Sequence, residues 1–260
     1  MMKTIILLPW LCCLSCAVAQ RVSIHPYLAS DIFAHNDYEQ TIPLFTAYGQ
    51  GVGFIEADIF LVNDSLMVSH SFKDIQRNRR LENMYLKPLD SLIKKNDQRA
   101  YPGSEQILTL SIDLKTNGVP TLNRLVKMLS VYPGLIQNKY FKILISGSMP
   151  APSDWNNYPD YIFFDGRPEI IYDSMQWNRI GIVSTSFRNY TTWDGSSVMS
   201  NEDEEKIKQL IATVHSRHKK LRFWATPDQP AIWKYLIDRD VDILGTDDVK
   251  GLKQFLLKMK

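Results

Sequence analysis

"GFIEADIFLVNDSLMVSH", residues 53–70, holds the key to the fold. Its first ten residues are a near-continuous apolar run of Phe, Ile, Leu and Val, interrupted by Glu56 and Asp58. Short runs of this kind are strands buried on both faces, as in parallel sheets. Side chains alternate along a strand, so Glu56 and Asp58 share one face and Ala57 takes the other. "VNDS" (62–65) then reads as a turn, and "SLMVS" (65–69) as a short extended run folding back beside the strand and ending at His70.

Runs of the same type recur along the chain: "DIFAH" (31–35), "ILTLSIDLK" (107–115), "YFKILIS" (140–146), "YIFFD" (161–165), "IGIVST" (180–185), "LRFWAT" (221–226) and "VDILGTD" (241–247). Between several of them the apolar spacing becomes helical. "TLNRLVKMLSVY" (121–132) lines up Leu122, Leu125, Val126 and Leu129, and "EDEEKIKQLIATVHSRHKK" (202–220) lines up Ile207, Leu210, Ile211 and Val214. The second has Ser200 or Asn201 as its cap, acids at its start and bases at its end, as the helix dipole favours. "QPAIWKYLIDR" (229–239) and "VKGLKQFLLKMK" (249–260) complete the helical set. Strand and helix alternating in this way predict an α/β protein, a single (β/α)8 barrel. A doubly wound open sheet is the rival, but no G-x-G-x-x-G opens a first helix. With no linker-like stretch, residues 20–260 are read as one domain.

Residues 1–19 are set apart. A lone Lys3, the apolar "TIILLPWLCCLSC" and Ala17-Val18-Ala19 form the order of a secretory signal cut before Gln20, giving a secreted or periplasmic protein. The apolar part is shorter than the roughly 20 residues of a spanning helix. Attachment of lipid at Cys16 is the alternative, although "CLSC" lacks the leucine usual three residues before such a cysteine. All three cysteines, Cys12, Cys13 and Cys16, fall in this segment, which leaves the remainder without disulfides, a thiol nucleophile or thiolate metal ligands. Without Lys3 the charge is 29 basic against 28 acidic residues, which gives no reason to expect nucleic acid or an anionic membrane surface as partner.

In a (β/α)8 barrel the reactive groups gather at the C-terminal ends of the strands. Those ends carry His35, Glu56 with Asp58, Asp113 with Lys115, Asp165, Trp224 and Asp247. Two carboxylates facing one mouth repel unless a cation or proton intervenes, and hard oxygen ligands suit Mg²⁺ or Ca²⁺, with Asp113 as a third ligand. Neutralisation by Lys115 and a nearby arginine, without metal, is the other reading. Lys115 pairs Asp113 or holds a phosphate oxygen, or does both. His35 and His70, two of only five histidines, bracket the acids and suit proton transfer near neutral pH. Two imidazoles and one oxygen-ligated cation fit in-line attack on phosphorus.

The ordered series "AHNDY…IEADI…VSH…IDLK" resembles the superfamily of glycerophosphodiester phosphodiesterases and phosphatidylinositol-specific phospholipase C-like proteins, over residues 31–250. His35-Asn36-Asp37 stands where that family usually has H-R-G, and "IDLK" where E-x-K is more common. The aspartate, with E-x-D, two histidines and a late tryptophan, is similar to the sphingomyelinase D branch. "RFWATPD…W…VDILGTDD" is similar to the altered-inheritance-of-mitochondria-like branch. The resemblance implies a metal-dependent phosphodiesterase acting on a small-molecule or lipid diester. Glu56, Asp58 and Asp113 would hold the cation, His35 and His70 would be the acid and base, and Lys115, Asn36 and Trp224 would contact substrate. Arg167 or Arg188 would replace the absent arginine. A phosphatidylinositol-type lyase releasing a cyclic phosphate, and a catalytically silent barrel binding a glycan or lipid, are the rival functions.

Other polar residues carry a weaker signal. Trp224 stacks on a ligand or packs the rim, and Asp165 with Arg167 closes a turn as an ion pair. His215 and His218 end a helix in solvent, with metal binding as the alternative, Asp247 and Asp248 cap the last helix or contact substrate, and His25 gives no signal. "RNYTTWDGSS" (188–197) forms one wall of the mouth.

Overall fold

The computed structural model describes residues 26–259. The signal reading of 1–19, its cysteines and His25 lie outside the described residues.

In chain order the elements are β1 (Ile32–Ala34), α1 (Phe45–Tyr48), β2 (Phe54–Val62), β3 (Ser65–Val68), α2 (Lys87–Lys95), β4 (Leu108–Leu114), α3 (Gly118–Leu129), α4 (Pro133–Ile136), β5 (Phe141–Gly147), β6 (Ile162–Gly166), α5 (Ser174–Arg179), β7 (Ile180–Ser186), α6 (Asn201–Ser216), β8 (Leu221–Trp224), α7 (Pro230–Asp238), β9 (Ile243–Thr246) and α8 (Val249–Lys258). The sheet runs β1-β9-β8-β7-β6-β5-β4-β2-β3, and β1 also pairs β2, so eight parallel strands close on themselves. β3 lies outside that ring, antiparallel to β2 through the pair Val62 and Ser65. Its tight turn uses Asn63 and Asp64, both at positive φ, the backbone that a two-residue hairpin demands and that Asn and Asp tolerate. The (β/α)8 expectation holds.

Inside the ring, Phe33, Leu144, Ile182 and Ile243 form an apolar plug, with Phe54 and Phe163 packed against it. Two residues further along five of these strands stand His35, Glu56, Ser146, Asp165 and Ser184. Since all the ring strands are parallel, every polar group emerges on the same, C-terminal side of the plug. Outward-facing residues such as Ile55, Leu110 and Ile143 pack with Leu125, Leu236 and Leu252 of the helices in the larger core. Single-strand apolar runs therefore have two jobs, one face to the plug and one to the helices, which is why they read as continuous.

Two local differences have physical causes. The helix expected over 121–132 is Gly118–Leu129. It starts against the loop after β5, where a Cβ on Gly118 would lie 1.8 Å from the Ser148 carbonyl oxygen, so only glycine fits. The stretch 82–95, without an assignment from its sequence, is a wide π-turn (Glu82–Leu86) running into α2. Pro88, which has no N–H to give to the preceding turn, sits where that π-turn passes into α2. The charged helix α6 begins as expected, Ser200 accepting from the Asp203 N–H.

Candidate active site

Parallel register sets Asp58 directly opposite Asp113, and Ala34 beside Ile55. Glu56, Asp58 and Asp113 thereby offer carboxylate oxygens that all lie within 4.8 Å of one another. Glu56 and Asp58 are buried and Asp113 partly so. Lys115 Nζ sits 3.1 Å from both Asp58 and Asp113, and Ser146 Oγ donates to Asp113 at 3.1 Å. One ammonium does not neutralise three carboxylates. Burial and the neighbouring Glu56 charge push the Asp58 pKa up to about 6, against the opposing effects of Tyr38 and Lys115. The carboxylates hold Lys115 above its usual range despite burial.

Asp58 Oδ1 is buried with no hydrogen-bond partner among the described residues. An orphaned carboxylate oxygen in an oxygen-only donor set fits a hard divalent cation. Room for Asp113 is kept by Gly147 at φ 74°, where a Cβ would fall 2.3 Å from Asp113 Oδ1. The acidic trio, Lys115 and Gly147 are thus one compact arrangement at the ends of β2, β4 and β5.

His35 follows β1. Its Nδ1 is 2.8 Å from Asp247 Oδ1, and its Nε2 is 4.0 Å from Glu56 Oε2. Burial alone would lower its pKa, but the Asp247 hydrogen bond and the Glu56 charge outweigh it and raise it. The same bond holds Asp247 below its usual range. Asn36 takes the left-handed conformation at φ 48° that asparagine accommodates, and this aims its N–H at Glu56 Oε2, 2.8 Å away. Its side-chain amide reaches His35 and Asp247, and its Oδ1 lies 2.8 Å from the Tyr38 hydroxyl oxygen.

His70 lies at the end of the hairpin and is open to solvent, its Nδ1 3.1 Å from Tyr38 Oη and 3.6 Å from Asp58 Oδ2. Tyr38 Oη is 2.7 Å from Asp58 Oδ2 and joins both histidines' surroundings. The two imidazoles and three carboxylates named from sequence therefore share one network. Trp224 stands at the end of β8 with 43% of its surface exposed.

Three participants were not legible. Tyr38 belongs to "HNDY" but reads as an aromatic core residue, which at 0% exposure it also is. Asp247 was read as a helix cap; the structure corrects this, for Asp248 alone caps α8, accepting from Gly251 N–H, while Asp247 turns to His35. Arg222, on β8, lies above the plug with its guanidinium carbon 3.6 Å from the Phe33 ring centre. Of the arginines weighed as phosphate contacts, Arg167 is paired with Asp165 at 2.8 Å, and Arg188 holds the carbonyls of Thr192 and Trp193. His215 pairs with Asp242 at 2.8 Å, beside the α6 terminus.

Comparison with known proteins adds three findings. Residues 23–141 match the AIM6-like phosphodiesterase domain. Altered inheritance of mitochondria protein 6 homolog of Arthroderma benhamiae is 26% identical over 263 residues, covering 86% of this chain and 83% of that protein. Altered inheritance of mitochondria protein 6 of Eremothecium gossypii is 23% identical over 292 residues, covering 92% and 72%. Among solved structures, a glycerophosphodiester phosphodiesterase from Parabacteroides distasonis shares the fold, with a TM-score of 0.56, 15% identity and coverage of 89% of this chain and 98% of that one. Barrel, motif order and relatives agree: over residues 23–141 the chain is similar to the AIM6-like phosphodiesterase domain, and its fold is that of a glycerophosphodiester phosphodiesterase barrel.

Proposed function

We propose that the protein hydrolyses a phosphodiester, a glycerophosphodiester or a phospholipid head group, with His35 and His70 as the proton-transfer pair. The observation that carries the reading is the orphaned Oδ1 of Asp58 inside a carboxylate trio flanked by both imidazoles. Glu56, Asp58 and Asp113 would hold one Mg²⁺ or Ca²⁺, which when bound supplies positive charge to phosphoryl oxygens.

Asp247 accepts a hydrogen bond from the Nδ1–H of His35, which leaves Nε2 to accept or return a proton. The Tyr38 hydroxyl proton goes to Asp58, so the phenol oxygen accepts from His70 Nδ1 and leaves His70 Nε2 for the substrate. One imidazole removes the proton of the attacking oxygen as the O–P bond forms. The other protonates the leaving oxygen as its bond to phosphorus breaks. Lys115 is placed to hold a phosphoryl oxygen beside the acids, and Trp224 offers a face to a head-group cation or sugar.

Screening diesters with the full chain, with added Mg²⁺, Ca²⁺ or chelator, tests this. Cation-dependent turnover that chelator removes is expected. Ligand binding by calorimetry with no product from any diester would favour the silent barrel, and a persistent cyclic phosphate would favour the lyase. The reading includes export after cleavage near Ala19; an N-terminus other than Gln20 on recovered extracellular protein would count against it.

A further inference from the structure

Arg222 is a buried charge of the barrel interior, near carboxylates but in direct contact with none among the described residues. It retains 6% of its surface, and its Nε is buried with no partner. None of its guanidinium nitrogens makes a hydrogen bond or ion pair among the described residues, although the site around it is rich in carboxylates. Each of those already has nearer partners. Asp165 is held by Arg167 and by Ser184 Oγ at 2.6 Å, and Glu56 by the Asn36 N–H. Asp113 is held by Lys115 and Ser146, and Asp247 by His35 and Asn36.

The fold keeps a place for this side chain. Phe33 supports the flat face of the guanidinium, and on the adjacent strand Gly245 leaves room where a Cβ would come within 3.3 Å of Arg222 Nε. Lying on the apolar plug, at the base of the polar layer, the group looks towards the end of the barrel where His35 and Asp247 stand. Arg222 is close enough to both for its charge to oppose protonation of each. Glu56, Asp165 and Asp113 stabilise its charge from a distance, but a buried guanidinium with unpaired N–H groups is costly, and its planar fork matches an oxyanion in two-point geometry.

We propose that Arg222 forms an anion-binding subsite on the floor of the mouth that grips a non-bridging oxygen of the substrate's phosphoryl group. Gripped there, the phosphorus lies between Arg222 and Lys115, from opposite sides of the ring, below the two imidazoles. The subsite rests on the phosphodiester reading, yet it is measured without turnover.

Inorganic phosphate is the probe, titrated calorimetrically into the full chain and into Arg222→Gln, with circular dichroism to verify folding. Loss of charge-assisted hydrogen bonds should weaken phosphate binding about 10- to 100-fold in Arg222→Gln. A second measurement needs no stable variant at the site: in arginine-labelled native protein, the Arg222 Nε–H resonance should shift on phosphate addition and saturate with the calorimetric affinity. Phosphate affinity within twofold of native in folded Arg222→Gln, an unmoved Arg222 resonance at saturation, or no phosphate binding by the native chain would each overturn the subsite. Phosphate bound through Arg222 without turnover of any diester would sink the activity and keep the subsite. Turnover with phosphate binding unchanged in Arg222→Gln would do the reverse.

Discussion

Asp37 shows how much a single buried group can impose. It is fully buried, Oδ2 accepting from the Leu44 N–H and the Tyr85 hydroxyl while Oδ1 has no partner among the described residues. Burial raises its pKa from 3.8 to about 6. Within that interval the folded chain keeps a proton that the unfolded chain releases, so stability falls as pH rises, by roughly 3 kcal/mol at most. Asp37→Asn should flatten that slope, seen as a smaller loss of urea-unfolding free energy between pH 4 and 6.5; an unchanged slope would show Asp37 ionised at its ordinary value. At the same scale, His35→Ala and His70→Ala should each lower turnover about 10²- to 10⁴-fold in a folded protein. Asp247→Asn should lower it through His35, because an amide at Asp247 no longer fixes which ring nitrogen carries the proton. The pH–rate profile of that variant should lose the limb set by His35.

At the scale of elements, strand ends do the placing. Gly147 ends β5 at positive φ and leaves space for Asp113, the proposed cation ligand on β4. Gly147→Ala should cost about 1–3 kcal/mol in stability and, by moving Asp113, weaken cation binding as well. Denaturation and cation titration on the same sample check both, and a variant that binds the cation as the native chain does would separate Gly147 from the site. Strands and their polar ends were readable because period two and near-continuous apolarity survive in any sequence of this architecture. E-x-D announced itself by placing two like charges on one face of an otherwise apolar strand. Arg222 did not, since a single charge in "LRFWAT" looks like an edge residue until the ring closes over it. Nor did the His35–Asp247 pair, whose members are 212 residues apart and meet only because β9 returns to β1.

For the whole molecule, closure of the ring converts five dispersed side chains into one site. As a cation ligand Asp58 would have to be ionised, and burial with the neighbouring Glu56 charge pushes its pKa up to about 6. Cation affinity should therefore rise with pH through that value and level off above it. Titrations between pH 5 and 8 would reveal this, and a flat profile would remove Asp58 from the ligand set. The central claim, that this barrel cleaves phosphodiesters between two histidines, is tested most directly by phosphorus NMR of the native chain and His35→Ala incubated with one glycerophosphodiester and Mg²⁺. The account predicts a growing phosphomonoester signal from the native protein and a rate at least about 100-fold lower from the variant. Equal rates from the two proteins would contradict it.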